Sequence, residues 1–158
     1  MSIVKDVDKG WKRVTRKILS LDNKEVSAGV HDDAGNEDNG KPIALVAFWN
    51  EYGTSREKDG KKVPHIPARP FIRISFDDHN KEWFKEADTQ LTAIVNGGKT
   101  ANGALNAVGR LMKKDIKKII GDKSRLKPNA PATVARKGFN KPLYETGKLK
   151  AAIDFKVK

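Results

Sequence analysis

The sequence contains no cysteine and no long apolar run, and these absences exclude several classes of protein. A chain of 158 residues without cysteine forms no disulfide, no thiol active site and no cysteine-ligated zinc or iron–sulfur centre. The longest apolar run, Ile43 to Trp49, has seven residues, whereas a membrane-spanning helix needs ~20. Charged residues begin at Lys5, so we expect no secretory signal. The lack of cysteine is compatible with a reducing cytosol, and we expect no membrane partner.

Positive charge is concentrated in the last part of the chain. The sequence has 32 Lys and Arg against 20 Asp and Glu, a formal net charge of +12. Residues 1–98 hold 16 basic and 16 acidic residues, whereas residues 99–158 hold 16 basic residues and only four acidic ones. Such a segment either attracts a polyanion or an acidic protein surface, or forms a solvated face without a partner.

Apolar spacing predicts helices and strands within one domain over residues 1–158. An amphipathic helix is indicated by the stripe Val4, Val7, Trp11, Val14 and Ile18. The later elements are predicted as a strand over 24–31, a short helix over 42–52, a long helix ending at 96–98, a helix over 102–120, and a strand over 148–158. Thr146–Leu149 is predicted to start one short helical turn before the last strand. In the short helix we expect burial of Leu45, Val46, Phe48 and Trp49. The polar stretches at about 31–41 and 55–63 are predicted to be mobile loops.

The helix predicted over 102–120 carries a row of cations opposite its apolar face. This basic surface consists of Arg110, Lys113, Lys114, Lys117 and Lys118. Like charges four residues apart repel each other, so the row is either solvated or matched by a partner. It predicts generic attraction to a polyanion such as DNA. The sequence has neither the aromatic interleaving nor the helix-turn-helix pattern of a sequence-specific reader.

Few residues suggest catalytic or cofactor chemistry. Asn96–Thr100 imitates the end of a phosphate-binding loop, but its first glycine is missing and the segment follows a helix, so we expect a helix–helix turn. His31 and His79 lie beside aspartates, yet neither cluster has the spacing of a metal site. We therefore expect no catalytic, cofactor-binding or metal-binding residue, and the chain is predicted not to be an enzyme.

Three stretches, in this order and spacing, resemble one known family. The first joins the strand at Val26–Val30 to Ile43–Thr54, which ends in Asn-Glu-Tyr-Gly-Thr. The second is Ile66–Arg73, which contains Ile-Pro-Ala-Arg-Pro-Phe, and the third is Lys141–Ile153. Together they resemble the neck and tail-completion proteins of tailed bacteriophages, a group that includes head–tail joining proteins and the minor tail protein Z type. The resemblance runs from about residue 24 to the C-terminus.

The resemblance implies a small α+β domain in which a β-sheet is packed by two long helices plus an N-terminal helix. It implies a structural virion protein that completes or terminates the tail, or joins it to the head, as a homomeric ring around the DNA channel. The ring is expected to be a hexamer in contact with tail-tube and head-connector proteins, in the virion neck and, during assembly, in the host cytoplasm. Proximity to genomic DNA is expected to be non-specific. The neck layer stays open, and the alternative function is a basic cytoplasmic DNA-binding protein.

Four motif residues are candidates for a subunit or neck interface, namely Tyr52, Arg69, Phe71 and Arg73. The segment Asn50–Thr54 ends a helix at Gly53, and it is either a helix C-cap alone or also an interface. If Pro70 opens the long helix, Arg69 and Arg73 share one face and can meet a carboxylate of an adjacent subunit. The other interpretation is an ion pair within the chain at the start of that helix.

Overall fold

The computed structural model describes residues 10–158, which have the predicted α+β fold. The described elements are α1 (Trp11–Leu19), β1 (Val26–Val30), α2 (Ile43–Tyr52), β2 (Thr54–Lys58), β3 (Lys61–Ile66), α3 (Phe71–Val95), α4 (Ala101–Ile119), α5 (Pro131–Lys137), α6 (Lys148–Ala152) and β4 (Ile153–Val157). Helix α1 is the second part of the predicted amphipathic helix. Its first part, with Val4 and Val7, lies outside the described residues.

One hydrophobic core forms where α3 packs against α4 and α4 packs against the sheet of β1 and β4. Its most buried members include Phe71, Ile116 and Ile153. The chain passes from α3 to α4 through 96–100, where the Gly103 N–H donates a hydrogen bond of 3.1 Å to the Thr100 hydroxyl and so caps α4. The segment that imitates a phosphate-binding loop is therefore a helix–helix turn, as predicted.

Strands β1 and β4 form an antiparallel two-stranded sheet. Ala28 pairs with Phe155 and Val30 pairs with Ile153, and directly paired residues project from the same face. That face meets α4, in which Gly109 makes room for the sheet because a Cβ there would overlap the Phe155 ring. The predicted final strand is confirmed from residue 153 onward, whereas residues 148–152 form α6.

Strands β2 and β3 form a hairpin arm (residues 54–66), where the sequence predicts a mobile loop. Asp59 and Gly60 both have positive φ, 52° and 69°, as in the primed turns that join two strands tightly. Residues 55–62 are all exposed, and the extensive contacts of β2 and β3 are with each other. The sequence prediction missed this hairpin because β2 is polar throughout and β3 begins with two lysines, which hides the alternation that marks a half-buried strand.

Two further segments make contacts or form structure that the sequence analysis did not predict. The stretch 31–41 is held at several points, since the Glu37 N–H donates to the Lys41 carbonyl (2.8 Å), Asp33 pairs with Lys156 (2.6 Å), and Asp38 pairs with Lys148. Helix α5 lies in a region that looks merely interrupted by prolines and glycines. It begins at a proline, whose missing N–H is no loss at that position, and it ends at Gly138 in the left-handed conformation.

A buried hydrogen-bond network ties α3 to α4 at Asp115, which is only 4% exposed. The Trp83 indole N–H donates to one carboxylate oxygen (3.0 Å), and the Lys118 ammonium donates to the other (3.0 Å). Burial raises the pKa of Asp115. The hydrogen bonds from Trp83 and Lys118 outweigh burial, so the pKa lies below its ordinary value of 3.8. The ionised carboxylate therefore stabilises the fold.

The Asp115→Asn variant is expected to be less stable than the parent by about 1–2 kcal/mol near pH 7. Because the pKa of Asp115 is lowered in the fold, its stabilisation is present above about pH 4 and is lost as the pH falls through the folded value. Urea unfolding near pH 7 and near pH 3 should therefore show a difference that shrinks on acidification. Glu57→Gln on the exposed hairpin arm is the control, and a deficit of Asp115→Asn that is equal at both pH values would contradict the account.

Candidate assembly interface

The two family-like motifs, far apart in the sequence, meet at the start of α3. The Arg69 N–H donates to the Asn50 carbonyl (2.6 Å), and the Ile66 N–H donates to the Thr54 hydroxyl (3.2 Å). Together these contacts fix the end of α2 against the segment that leads into α3. The motifs are therefore two halves of one structural unit.

Glu51 caps α3 from outside that helix. Its side chain is 7% exposed, and its two carboxylate oxygens accept hydrogen bonds from the Ile72 and Arg73 N–H groups, each at 3.0 Å. The first turn of α3 has no acidic residue and no side-chain cap of its own. Because first-turn N–H groups lack partners within a helix and carry partial positive charge, the Glu51 carboxylate satisfies and stabilises them.

Gly53 turns the chain out of α2 in a backbone conformation that is nearly exclusive to glycine. Its φ is 75° and its ψ is 171°. A Cβ at this position would lie 2.9 Å from the Ala68 nitrogen and 3.0 Å from the Ile66 oxygen, both of them backbone atoms. Gly53 is thus required by conformation and by the close approach of the second motif.

Arg69 and Phe71, two of the four residues predicted for an interface, support the fold instead. Phe71 is 0% exposed, so its prediction as a contact residue is wrong. Arg69 donates from Nε to the Lys127 carbonyl (2.8 Å) and from Nη2 to the Pro128 carbonyl (3.0 Å), and burial lowers its pKa. Because α3 begins only at Phe71, Arg69 does not share a helix face with Arg73. Among residues 10–158, none of the ion pairs involves Arg69.

The other two predicted residues, Tyr52 and Arg73, lie on the surface in an aromatic patch (Leu45, Phe48, Tyr52 and Arg73). Phe48 is 58% exposed and Tyr52 is 62% exposed, and their ring centroids are 4.8 Å apart. The Arg73 guanidinium carbon lies 5.7 Å from the Tyr52 ring centroid, within the range of a cation–π contact. Leu45, Phe48 and Tyr52 are spaced three and four apart, so they form one continuous stripe of α2.

The exposure of Leu45 and Phe48 overturns the expectation that both are buried. The side of α2 that enters the fold is formed instead by Ile43, Ala47 and Glu51. Because the helix is apolar on nearly all sides, its pattern does not distinguish the core face from the outer face. The inward side is marked by Glu51, but only through its capping contacts with a segment more than 20 residues away, so nothing in the sequence of α2 itself indicates it.

The predicted basic surface of α4 is partly neutralised within the chain. Lys113 pairs with Asp154 (2.8 Å) and Lys118 pairs with Asp115 (3.0 Å). The hydrogen bond from Lys113 holds the pKa of Asp154 below its ordinary value. Lys117 points toward the Ala151 carbonyl, and burial, together with nearby Lys113, lowers its pKa.

Three of the five predicted cations, Arg110, Lys114 and Lys117, have no carboxylate partner within residues 10–158. Of these, Arg110 and Lys114 are exposed. The net positive charge available to a partner on α4 is therefore smaller than the sequence alone indicates.

An open cleft of about 540 Å³ lies between α2, α5 and α6. It is lined by groups of both charge signs, among them Arg69, Arg136 and Glu145. Arg136 already donates to Glu145 (2.6 Å), and Arg69 is held by the two carbonyls described above. These three charged groups of the cleft are thus paired with each other or with the backbone.

Within residues 10–158, no three His, Asp or Glu side chains group closely enough to hold a metal ion. In the same part of the chain, no helix combines the length and apolar character needed to cross a membrane. Comparison with protein-family models, curated proteins and solved structures found no match to this chain.

Proposed function

We propose that this chain is a structural protein that forms a homomeric ring at the head–tail junction of a tailed bacteriophage, where it completes the tail or joins it to the head. The observation that carries the proposal is the division of roles within Asn50–Thr54. The other four motif residues hold the start of α3 through their hydrogen bonds and the turn at Gly53. Within this motif, Tyr52 is the residue whose side chain faces outward. Phe48, which precedes the motif in α2, is exposed beside it.

The aromatic patch supports an assembly role. Large aromatic side chains left on the surface as a contiguous group are typical of protein–protein contacts. Aromatic residues and arginine are also enriched among residues that dominate binding energy at interfaces. The hexameric ring and its place at the neck come from the resemblance of the motifs, and the patch supplies a surface for contact between subunits.

The pairing of α4 cations favours this proposal over a cytoplasmic DNA-binding protein. A protein that binds duplex DNA tightly uses cations that are free to neutralise phosphates. Here Lys113 and Lys118 already have carboxylate partners. The remaining charge suits a surface that faces an acidic neighbouring ring or lines part of the DNA path.

We expect near six copies of the chain per particle when density-purified phage is analysed by quantitative mass spectrometry against the major capsid protein. A phage that lacks the wild-type gene, supplied with Phe48→Ser/Tyr52→Ser, should yield tail-defective particles that lack the chain. The physical reason is that both changes remove exposed apolar contact area while leaving the core intact.

Lys24→Ser is the matched control, because it changes an exposed residue outside the aromatic patch, the hairpin arm and α4. The control should enter particles at the wild-type copy number. Absence of the wild-type chain from particles would contradict the virion role and leave the DNA-binding alternative. Normal incorporation of the double variant would remove the aromatic patch from the assembly interface.

A further inference from the structure

We infer that neighbouring copies of the chain contact each other head to tail, with the aromatic patch and hairpin arm of one copy on the outer face of α3 in the next. The outer face of α3 is defined by Asp77, Phe84, Asp88 and Leu91. This inference rests on the proposed ring and specifies the two surfaces that build it. The occupant of each surface is thus a second copy of the same chain.

The outer face of α3 combines exposed apolar groups with unpaired carboxylates. Phe84 is 65% exposed and Leu91 is 42% exposed, and they lie two helical turns apart on the same side. Asp77 and Asp88 flank them and are exposed. None of the salt bridges among residues 10–158 involves either carboxylate.

The two surfaces lie at different places along α3. Arg73, in the aromatic patch, precedes Phe84 by about 16 Å and Leu91 by about 27 Å at a rise of ~1.5 Å per residue. A closed ring needs two different surfaces that complement each other, whereas a two-fold dimer needs one surface that complements itself. Both surfaces lie on the same side of α3, with Arg73 at its start and Phe84 and Leu91 further along. They differ in composition, because the aromatic patch carries a cation and the outer face of α3 carries carboxylates, and this difference fits the first arrangement.

Charge distinguishes the two surfaces and gives them a direction. Residues 55–62 of the hairpin arm hold four cations and two carboxylates, a formal charge of +2. Residues 77–88 of α3 hold five carboxylates and two lysines, a formal charge of −3 with His79 neutral, in a chain whose total is +12. One of the five carboxylates, Asp78, is paired with Arg125 within the chain, so the free charge of this stretch is −2. The arm of one copy is therefore attracted to α3 of another, while two arms repel each other.

The hairpin arm also gains from such a contact. A two-stranded hairpin with no covering layer is only marginally stable in water. The base of the hairpin arm (Thr54, Ser55 and Ile66) lies next to Tyr52, because these residues and Pro67 line one shallow cleft. Docking of the aromatic patch would thus bring the arm onto the same neighbour, where the aliphatic parts of its lysines can cover Phe84.

Because the natural chain has no cysteine, single cysteines report contacts without background. We would mix equal amounts of full-length Leu45→Cys and Leu91→Cys, distinguish them by isotope labelling, and cross-link at high protein concentration with a short bismaleimide. The expected product joins position 45 of one copy to position 91 of another, with a yield at least about fivefold above either homotypic product. Lys114→Cys replaces either partner as the control and should give only background.

A predominance of products joining 45 to 45 would overturn the head-to-tail contact in favour of a two-fold dimer. Yields equal to those of the Lys114→Cys control at every pair would overturn it as well, and would assign the aromatic patch to a different protein. Particle counting separates this inference from the proposed function. If the chain is present in particles but the cross-linked products are homotypic, only the head-to-tail contact is refuted. If position 45 is specifically cross-linked to position 91 but the chain is absent from particles, only the virion role is refuted.

Discussion

The Gly53→Ala variant is expected to lose about 4 kcal/mol of folding free energy, because a methyl group here meets two separate penalties. A non-glycine residue at the observed φ of 75° and ψ of 171° costs about 1–3 kcal/mol in backbone strain. The added Cβ would also press on the Ala68 nitrogen and the Ile66 oxygen. Backbone atoms of β3 and of the segment that follows it cannot move aside like a flexible side chain, and overpacking of this kind costs about 1–3 kcal/mol.

Thermal unfolding measures this effect directly. For a domain of this size, 1 kcal/mol corresponds to about 2–4 °C, so Tm should fall by about 8–16 °C. Gly138→Ala is the matched control, since Gly138 has a φ of 74° and a ψ of 0° but nothing within 4 Å of its added Cβ. The control should lose only about 1–2 kcal/mol. Equal losses of folding free energy in the two variants would show that the close backbone approach at Gly53 does not contribute to the destabilisation.

The Glu51→Ala variant is expected to be destabilised by about 3 kcal/mol, since two charge-assisted hydrogen bonds disappear together. The Ile72 and Arg73 N–H groups would then stand without partners at the buried start of α3. We expect Tm to fall by about 6–12 °C. Circular dichroism during thermal unfolding, with Glu57→Ala as an exposed control of the same chemistry, is the measurement.

A second substitution separates the hydrogen bonds from the volume of the side chain. Glu51→Gln keeps the length of Glu51 and one acceptor oxygen, but it places an amide donor opposite an N–H group. We expect a loss intermediate between the parent and Glu51→Ala. If Glu51→Gln were as stable as the parent, the negative charge would contribute nothing at this helix start, contrary to the dipole argument.

The features that the sequence predicts correctly depend on neighbours along the chain. The long helices follow from apolar spacing, the turn at 96–100 follows from its glycines, and the end of α2 follows from Gly53. The strands near residues 26 and 153 alternate clearly because one face of their sheet is buried. In each case the local pattern and the final structure agree, so a single sequence suffices.

The features that the sequence does not predict depend on contacts between distant segments. Glu51 caps a helix whose first turn lies 21 residues later, and Arg69 binds the carbonyl of Lys127, 58 residues away. No local spacing indicates such partners. The outward orientation of Phe48 was likewise hidden, because an apolar helix gives no sign of which side the rest of the fold will cover. The interface candidates could therefore be narrowed from four to two only with the structure.

The pairing of β1 with β4 has a consequence for how the protein reaches its fold. Asp33 and Lys156, which pair beside this sheet, are 123 residues apart along the chain. Helices α3 and α4 are joined by a short turn. Bringing them together therefore closes a shorter loop and costs less chain entropy. We expect α3 and α4 to associate early in refolding and the sheet to close late and slowly upon them, as is usual for contacts of large sequence separation.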